Sequence, residues 1–152
     1  MKKLKIYVDT SVIGGCFDDE FKEFSNLLFN QFQTGKFIPV ISDVTIRELK
    51  RAPTEVTEIT KIDSDILIQV PIDDEIRALA KLYINEGVMT IKNIEDATHI
   101  AAAVVSQVDL LVSWNFKHIV NINKIHSINA VNIKYGYHAL EIYTPREVTI
   151  NE

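Results

Sequence analysis

Three acidic residues, Asp9, Glu48 and Asp96, stand where a charge is hard to explain by hydration alone. Asp9 closes the apolar run LKIYV and is followed by Thr10 and Ser11, whose hydroxyls could orient its carboxylate. A turn aspartate bonding its own backbone is the plainer alternative. On a helical wheel advancing about 100° per residue, Glu48 falls along one arc with Val44, Leu49 and Ala52, while Arg47, Lys50 and Arg51 take the other side. A carboxylate within an apolar arc is costly to desolvate unless something positive meets it, either a metal ion or one of those arginines. Asp96 falls at the margin of the apolar face of an Ala-rich helix, beside Ile100 and Ala103. Its neighbour Glu95 groups with His99 and Ser106 on the polar side and reads as solvated. For both acids, a first-turn charge complementing the helix macrodipole is the alternative.

If the three carboxylates converge, they form an oxygen-rich pocket. Oxygen donors without cysteine or clustered histidine favour magnesium or manganese over zinc. The histidines His99, His118, His126 and His138 make no HExxH or close ligand pair, so surface or hydrogen-bonding roles are expected of them.

The elements that must carry these residues alternate. LKIYV reads as a buried strand, Gly14 and Gly15 as a loop, and residues 18–33 as a helix with Phe21, Phe24, Leu27, Leu28 and Phe32 at helical spacing, stopped by Gly35. FIPVI is a second strand, and Ser42 or Asp43 caps the short helix VTIRELKRA, which must end near Pro53. A further short helix is expected from Thr54 to Lys61, then a strand DILIQV and an amphipathic helix DDEIRALAKLYINEG with acids at its start and glycine at its end. Asn93 caps IEDATHIAAAVVSQ, the strand DLLVSW follows, and Ile122, Ile125, Ile128 and Val131 mark another helix before a last strand ALEIYT, stopped by Pro145. This βα alternation predicts a largely parallel sheet with helices on both faces. Such sheets bind ligands at the carboxyl ends of their strands, so Asp9 and Asn115, each just beyond a strand, are candidates for one crevice.

Composition narrows the class. The 152 residues suit one domain, and 47% hydrophobic with 24% charged residues is an ordinary globular balance. The lone Cys16 has no internal disulfide partner and suits a reducing cytoplasm. The basic start MKKLK leads into an apolar run too short for a membrane span. The net charge of -5 opposes nucleic-acid binding through a broad basic surface. Carboxylates reserved for a divalent cation would account for part of it, and Arg47, Lys50, Arg51, Lys117, Lys124 and Lys134 could give a local basic track, although solvated surface charge is the plainer reading of each.

In the stretches YVDTSVIGG, ISDVTIREL, EDATHIAAA, LLVSWNFKHI and IYTPREV, taken in order, the sequence resembles the PIN-domain family, particularly the VapC-like toxin ribonucleases. The resemblance implies a single PIN-like three-layer α/β/α domain over residues 1–152, with a largely parallel central sheet. It implies that Asp9, Glu48 and Asp96 match the family's metal-binding acids and that Ser11 matches a hydroxyl position near the metal. It implies Mg²⁺ or Mn²⁺ as cofactor, RNA as substrate, cleavage commonly giving a 5′-phosphate and a 3′-hydroxyl, a cognate antitoxin and a homodimer. One departure is visible: Asn115 stands where many members carry a fourth aspartate, and an amide oxygen brings no charge to a second cation.

The expected reaction is hydrolysis of an RNA phosphodiester, with Asp9 and Asp96 on the cation and Glu48 holding it or orienting the water. Two rivals stand beside it. One is a catalytically weak module that binds RNA or a protein, consistent with Asn115 and the acidic balance. The other, a phosphatase using Asp9 as nucleophile, lacks the second aspartate two positions on, where Ser11 stands, and lacks a glycine-rich phosphate loop.

Overall fold

The computed structural model describes residues 2–52 and 65–150. The helix expected at Thr54 to Lys61 lies outside the described residues. Strand β1 (Lys5–Val8) leads through Asp9 into α1 (Thr10–Gly15), followed by α2 (Lys22–Gln33), β2 (Ile38–Ser42) and α3 (Asp43–Leu49). Then come β3 (Ile68–Val70), α4 (Asp74–Asn85), a 3-10 turn (Ile91–Asn93) running into α5 (Ile94–Val105), β4 (Leu110–Val112), α6 (Ile122–Lys134), β5 (Ile142–Tyr143) and α7 (Pro145–Thr149).

All five strands are parallel, in the order β3-β2-β1-β4-β5. The chain builds outwards on one side of β1 and then crosses to the other, so the point where the order reverses lies between β1 and β4, where open α/β sheets form their ligand crevice. Alternation along the strands divides the core. Tyr7, Val40, Leu111 and Ile142 join the apolar faces of α4, α5 and α6, whereas Ile6, Val8, Ile41, Leu110 and Val112 pack with α1 and α2. Because side chains alternate with period two, Asp9 follows Tyr7 towards the α5 face.

Local chemistry explains most boundaries. Ser42 rather than Asp43 caps α3, in a reciprocal pair with Thr45. Gly35, at φ +83, ends α2 in the left-handed region, with its own N–H on the Phe32 carbonyl and that of Lys36 on Gln31. Asn93 does precede α5 but makes no side-chain capping bond there. Two expectations need correction. The glycine pair Gly14 and Gly15 is not a loop but the last turn of α1. A Cβ on Gly15 would lie 2.6 Å from Ser25 Oγ and 2.8 Å from Trp114 Nε1, so glycine is there for close packing rather than for a turn. Pro145, expected only to stop the last strand, opens α7 at its first position behind a Thr144–Glu147 capping box.

Candidate active site

Asp9 sits at the carboxyl end of the central strand and is 3% exposed. Its Oδ1 accepts the Ser11 hydroxyl at 2.6 Å and the Val12 N–H at 3.3 Å, and its Oδ2 accepts the Ser113 hydroxyl at 2.6 Å. It is therefore both the capping aspartate of α1 and a buried acid facing the end of β4. Ser11 ties the two loops together, since its oxygen also accepts the Trp114 N–H at 2.9 Å. Ser113 was not singled out by sequence; its signal was that it ends an apolar strand just as Asp9 does.

Glu48 is turned inwards from α3. Its Oε1 accepts the Thr10 hydroxyl at 2.9 Å and lies 2.5 Å from Nε2 of His99. The arginines that were the alternative partners lie elsewhere: Arg47 and Arg51 both reach Glu95, at 3.7 and 3.4 Å. His99 is the residue that the wheel misassigned. Placed with the polar side of its helix, it is 1% exposed, with Nδ1 2.7 Å from the Tyr7 hydroxyl, which in turn lies 2.7 Å from Ser42 Oγ. An ionised carboxylate can only accept, so Nε2–H donates to Glu48. The Tyr7 hydroxyl links the ring's Nδ1 to Ser42, completing a buried chain from Glu48 to the start of α3.

Asp96 enters from the first turn of α5. The amide nitrogen of Asn115 donates to its Oδ2 at 3.3 Å, while the Asn115 oxygen accepts the His118 N–H at 2.9 Å. The amide thus presents its donor end to the acid and uses its oxygen on its own loop, and brings no negative charge.

Burial raises the carboxyl pKa of Asp9, against the opposing effects of His99 and the two serine hydroxyls. It raises that of Asp96 too, and there the negative charge of Asp9 adds to it, with Glu48 contributing further. Burial also acts to raise Glu48, but the His99 hydrogen bond and charge and the Thr10 hydroxyl outweigh it and hold this carboxyl below its ordinary range. The charges of Asp9 and Glu48 are thus both felt at Asp96, and two of the three acids are raised.

The two raised aspartates set a pH dependence opposite to the usual one. An acid raised in the folded state contributes stability that is full below its unfolded pKa and lost as pH rises through its folded pKa. Glu48, being lowered, contributes above the ordinary glutamate range and loses that contribution as pH falls through its depressed value. The aspartates' contribution to the stability of the cation-free protein is therefore lost as pH rises above the ordinary aspartate range. Calorimetry in EDTA checks this: the melting temperature should fall relative to that of Asp9→Asn as the pH is raised, and a difference between the two that does not change with pH would contradict it.

Among the described residues, no three His, Cys, Asp or Glu side chains close on a common point as a ready metal site. Glu48 is committed to His99 and Thr10, which keeps the third carboxylate back from the other two. The donor chemistry nevertheless fits a hard cation at Asp9 and Asp96. Both are oxygen donors, the charge of Asp9 makes Asp96 harder to ionise, and Asp9 Oδ2 accepts a single hydrogen bond, leaving a lone pair.

No protein-family model matches the sequence, and no curated protein matches it. Solved structures do match in fold. VapC20 of Mycobacterium tuberculosis, described as a toxin that cleaves the sarcin-ricin loop, is similar at a TM-score of 0.58 and 13% identity over 74% of this chain and 92% of its own. VapBC2 from Rickettsia felis, solved bound to a DNA fragment from its promoter, is similar at a TM-score of 0.58 and 13% identity over 93% of this chain and 98% of that one. The parallel sheet with helices on both faces is the architecture expected from sequence, and it is the fold shared with these two VapC structures.

Proposed function

We propose that this chain, as one PIN-like domain over residues 1–152, is a ribonuclease that hydrolyses RNA phosphodiester bonds with Mg²⁺ or Mn²⁺, as the toxin of a toxin-antitoxin pair. The observation that carries the reading is the gathering of Asp9, Asp96 and Glu48 at the carboxyl ends of β1 and β4. There Thr10, next to Asp9, bonds Glu48, and the turn after β4 bonds both Asp9 through Ser113 and Asp96 through Asn115. Asp9 and Asp96 would hold the cation, with Ser11 and Ser113 fixing the orientation of Asp9 and Asn115 bracing Asp96. When bound, the cation lowers the pKa of a water and offsets charge developing on the phosphate. Glu48, kept ionised by His99 and Thr10, is the acceptor that orients an attacking water. An antitoxin and a second copy of the chain are the partners that go with this reading, in a cytoplasmic setting. The VapBC2 neighbour supports the antitoxin. No helix among the described residues is long and apolar enough to cross a membrane.

A catalytically weak RNA- or protein-binding module is the second reading, favoured by the commitment of Glu48 to His99 and by the uncharged Asn115. Incubation of varied single-stranded RNAs with Mn²⁺ and with EDTA separates the two. Cleavage with Mn²⁺ alone, together with a Mn²⁺-dependent rise in melting temperature, is the expected result. Equal cleavage in EDTA would sink the metal mechanism, and no cleavage in either would leave the binding module.

A further inference from the structure

The basic track anticipated from sequence is dispersed in the fold. Lys134 pairs with Glu86 and Lys124 caps the Val88 carbonyl, both far from Glu48 along the chain and on the α6 side. Arg47, a member of that track, is instead brought together with Arg77 and Lys81, which were not part of it. A cleft of about 450 Å³ opens between α3, α4 and α5, walled by Arg47, Arg77 and Lys81 over a floor that includes Ile72, Ile94 and Ala80. That volume is within the usual range of ligand clefts.

The cleft shares two walls with the acidic site. Arg47 precedes Glu48 on α3 and reaches Glu95, the neighbour of Asp96 on α5, at 3.7 Å, so the edge of the cleft and the carboxylates are carried by the same two helices. Among the described residues, and with its rim counted, its cations outnumber its acids by one. Asp43, the acid in the lining, keeps its negative charge while its oxygens accept from Gln69 Nε2 at 2.8 Å and the Ile72 N–H at 3.1 Å, fixed away from the arginines by these neutral donors. Glu95 on the rim is shared between Arg47 and Arg51, leaving one positive charge in excess there. Arg77 meets Asp74 across one turn at 3.2 Å, with both groups well exposed, a kind of pair that holds weakly. Arg77 and Lys81 lie four residues apart on the same face of α4, where like charges repel. An anion between them would relieve that repulsion, and the apolar floor suits the flat faces of ribose and base rather than a second charge.

We propose that the cleft between α3, α4 and α5 binds the phosphate backbone of single-stranded RNA next to the acidic cluster, with Arg47, Arg77 and Lys81 as the phosphate contacts. The proposal rests on the ribonuclease reading for its choice of RNA. Each phosphate neutralised on a single strand contributes about 0.7 to the slope of log affinity against log salt. Removing two contacts therefore flattens that slope and weakens binding without regard to sequence.

The test compares Arg77→Ala/Lys81→Ala with the parent, both in an Asp9→Asn background with Mg²⁺ so that the strand stays intact, using fluorescence anisotropy of a labelled single-stranded RNA over a range of KCl. The expected result is a loss of about tenfold in affinity, with the slope reduced by about 1.4 for two phosphates. Both residues are on the surface of α4, and an unchanged melting temperature excludes a folding defect. Equal affinity and slope in the two proteins would overturn the proposal, as would tighter binding of polyglutamate of matched length than of RNA, which would make the cleft a seat for an acidic protein segment. Hydrolysis of bis(p-nitrophenyl) phosphate with Mn²⁺, measured with Asp9 intact, separates the two readings. This small diester does not reach the cleft, so the double variant should turn it over like the parent, and a parent that cannot hydrolyse it or RNA removes the ribonuclease reading while the anisotropy still decides the cleft.

Discussion

Replacing Asp9 with Asn is expected to lower Mn²⁺-dependent RNA cleavage by about 10²-fold or more, the scale lost when a group that stabilises transition-state charge is removed from a closed site, while raising the melting temperature of the cation-free protein. The two effects share a cause. Asp9 is buried, and its negative charge also makes Asp96 harder to ionise. The amide is nearly isosteric, can still accept from Ser11 and Val12 through one end, and can donate to Ser113, whose hydroxyl is free to rotate. A repelling charge is thus removed at little cost in hydrogen bonds, and a gain of about 1 kcal/mol corresponds to about 2–4 °C in a chain of this size. The Mn²⁺-dependent rise in melting temperature should disappear in the same variant. Thermal melts with and without Mn²⁺, alongside the cleavage assay, read both effects. Undiminished cleavage, or an undiminished response to Mn²⁺, would remove Asp9 from the proposed cation site.

The second large effect is expected at His99. Truncation to Ala leaves Glu48 without its main donor and the buried Tyr7 hydroxyl without the ring nitrogen it meets. Burial pushes the Tyr7 hydroxyl's pKa well up, so Tyr7 cannot answer by ionising. A lost buried hydrogen-bond partner together with a cavity costs about 2–4 kcal/mol. Cleavage should fall by about 10²-fold, the penalty of a misplaced polar group at a reacting centre, and the loss should appear in kcat with KM little changed, because His99 lies behind Glu48 rather than against the substrate. His99→Gln should recover part of the activity, since its amide nitrogen can donate to Glu48. If Ala and Gln variants lose activity only in proportion to their loss of folded protein, His99 is a packing residue and nothing more.

Asp9, Glu48 and Asp96 were readable from sequence for separable reasons: the end of an apolar strand, an acid in an apolar arc, and an acid at the edge of one. What the wheel could not give was the far side of α5. It separates faces of a helix, but α5 is buried almost all round, with Ala97, Ile100 and Ala101 on one side and His99 on another, so the polar side faces Tyr7 and Glu48 rather than solvent. The same blindness to tertiary partners made Gly14 and Gly15 look like a loop. Glycine's usual signal is conformational, and at Gly15 the requirement is the nearness of Trp114 and Ser25, which lie far from it in sequence. The alternative partners of Glu48 fail for the same reason: the arginines lie nearest along α3, and the fold sends them to Glu95.

The central position of β1 also has a consequence in time. Its carboxyl end meets β4 across a long stretch of chain, the Ser113 hydroxyl reaching Asp9 from 104 residues away. Contacts so distant in sequence form late and slowly. A ribosome-bound chain that has emerged only through α4 therefore holds Asp9 and Glu48 but neither Asp96 nor the turn after β4. Such a chain lacks the hydroxyl and the acid that complete this end of the sheet, and whatever chemistry depends on them has to wait for that part of the chain to emerge.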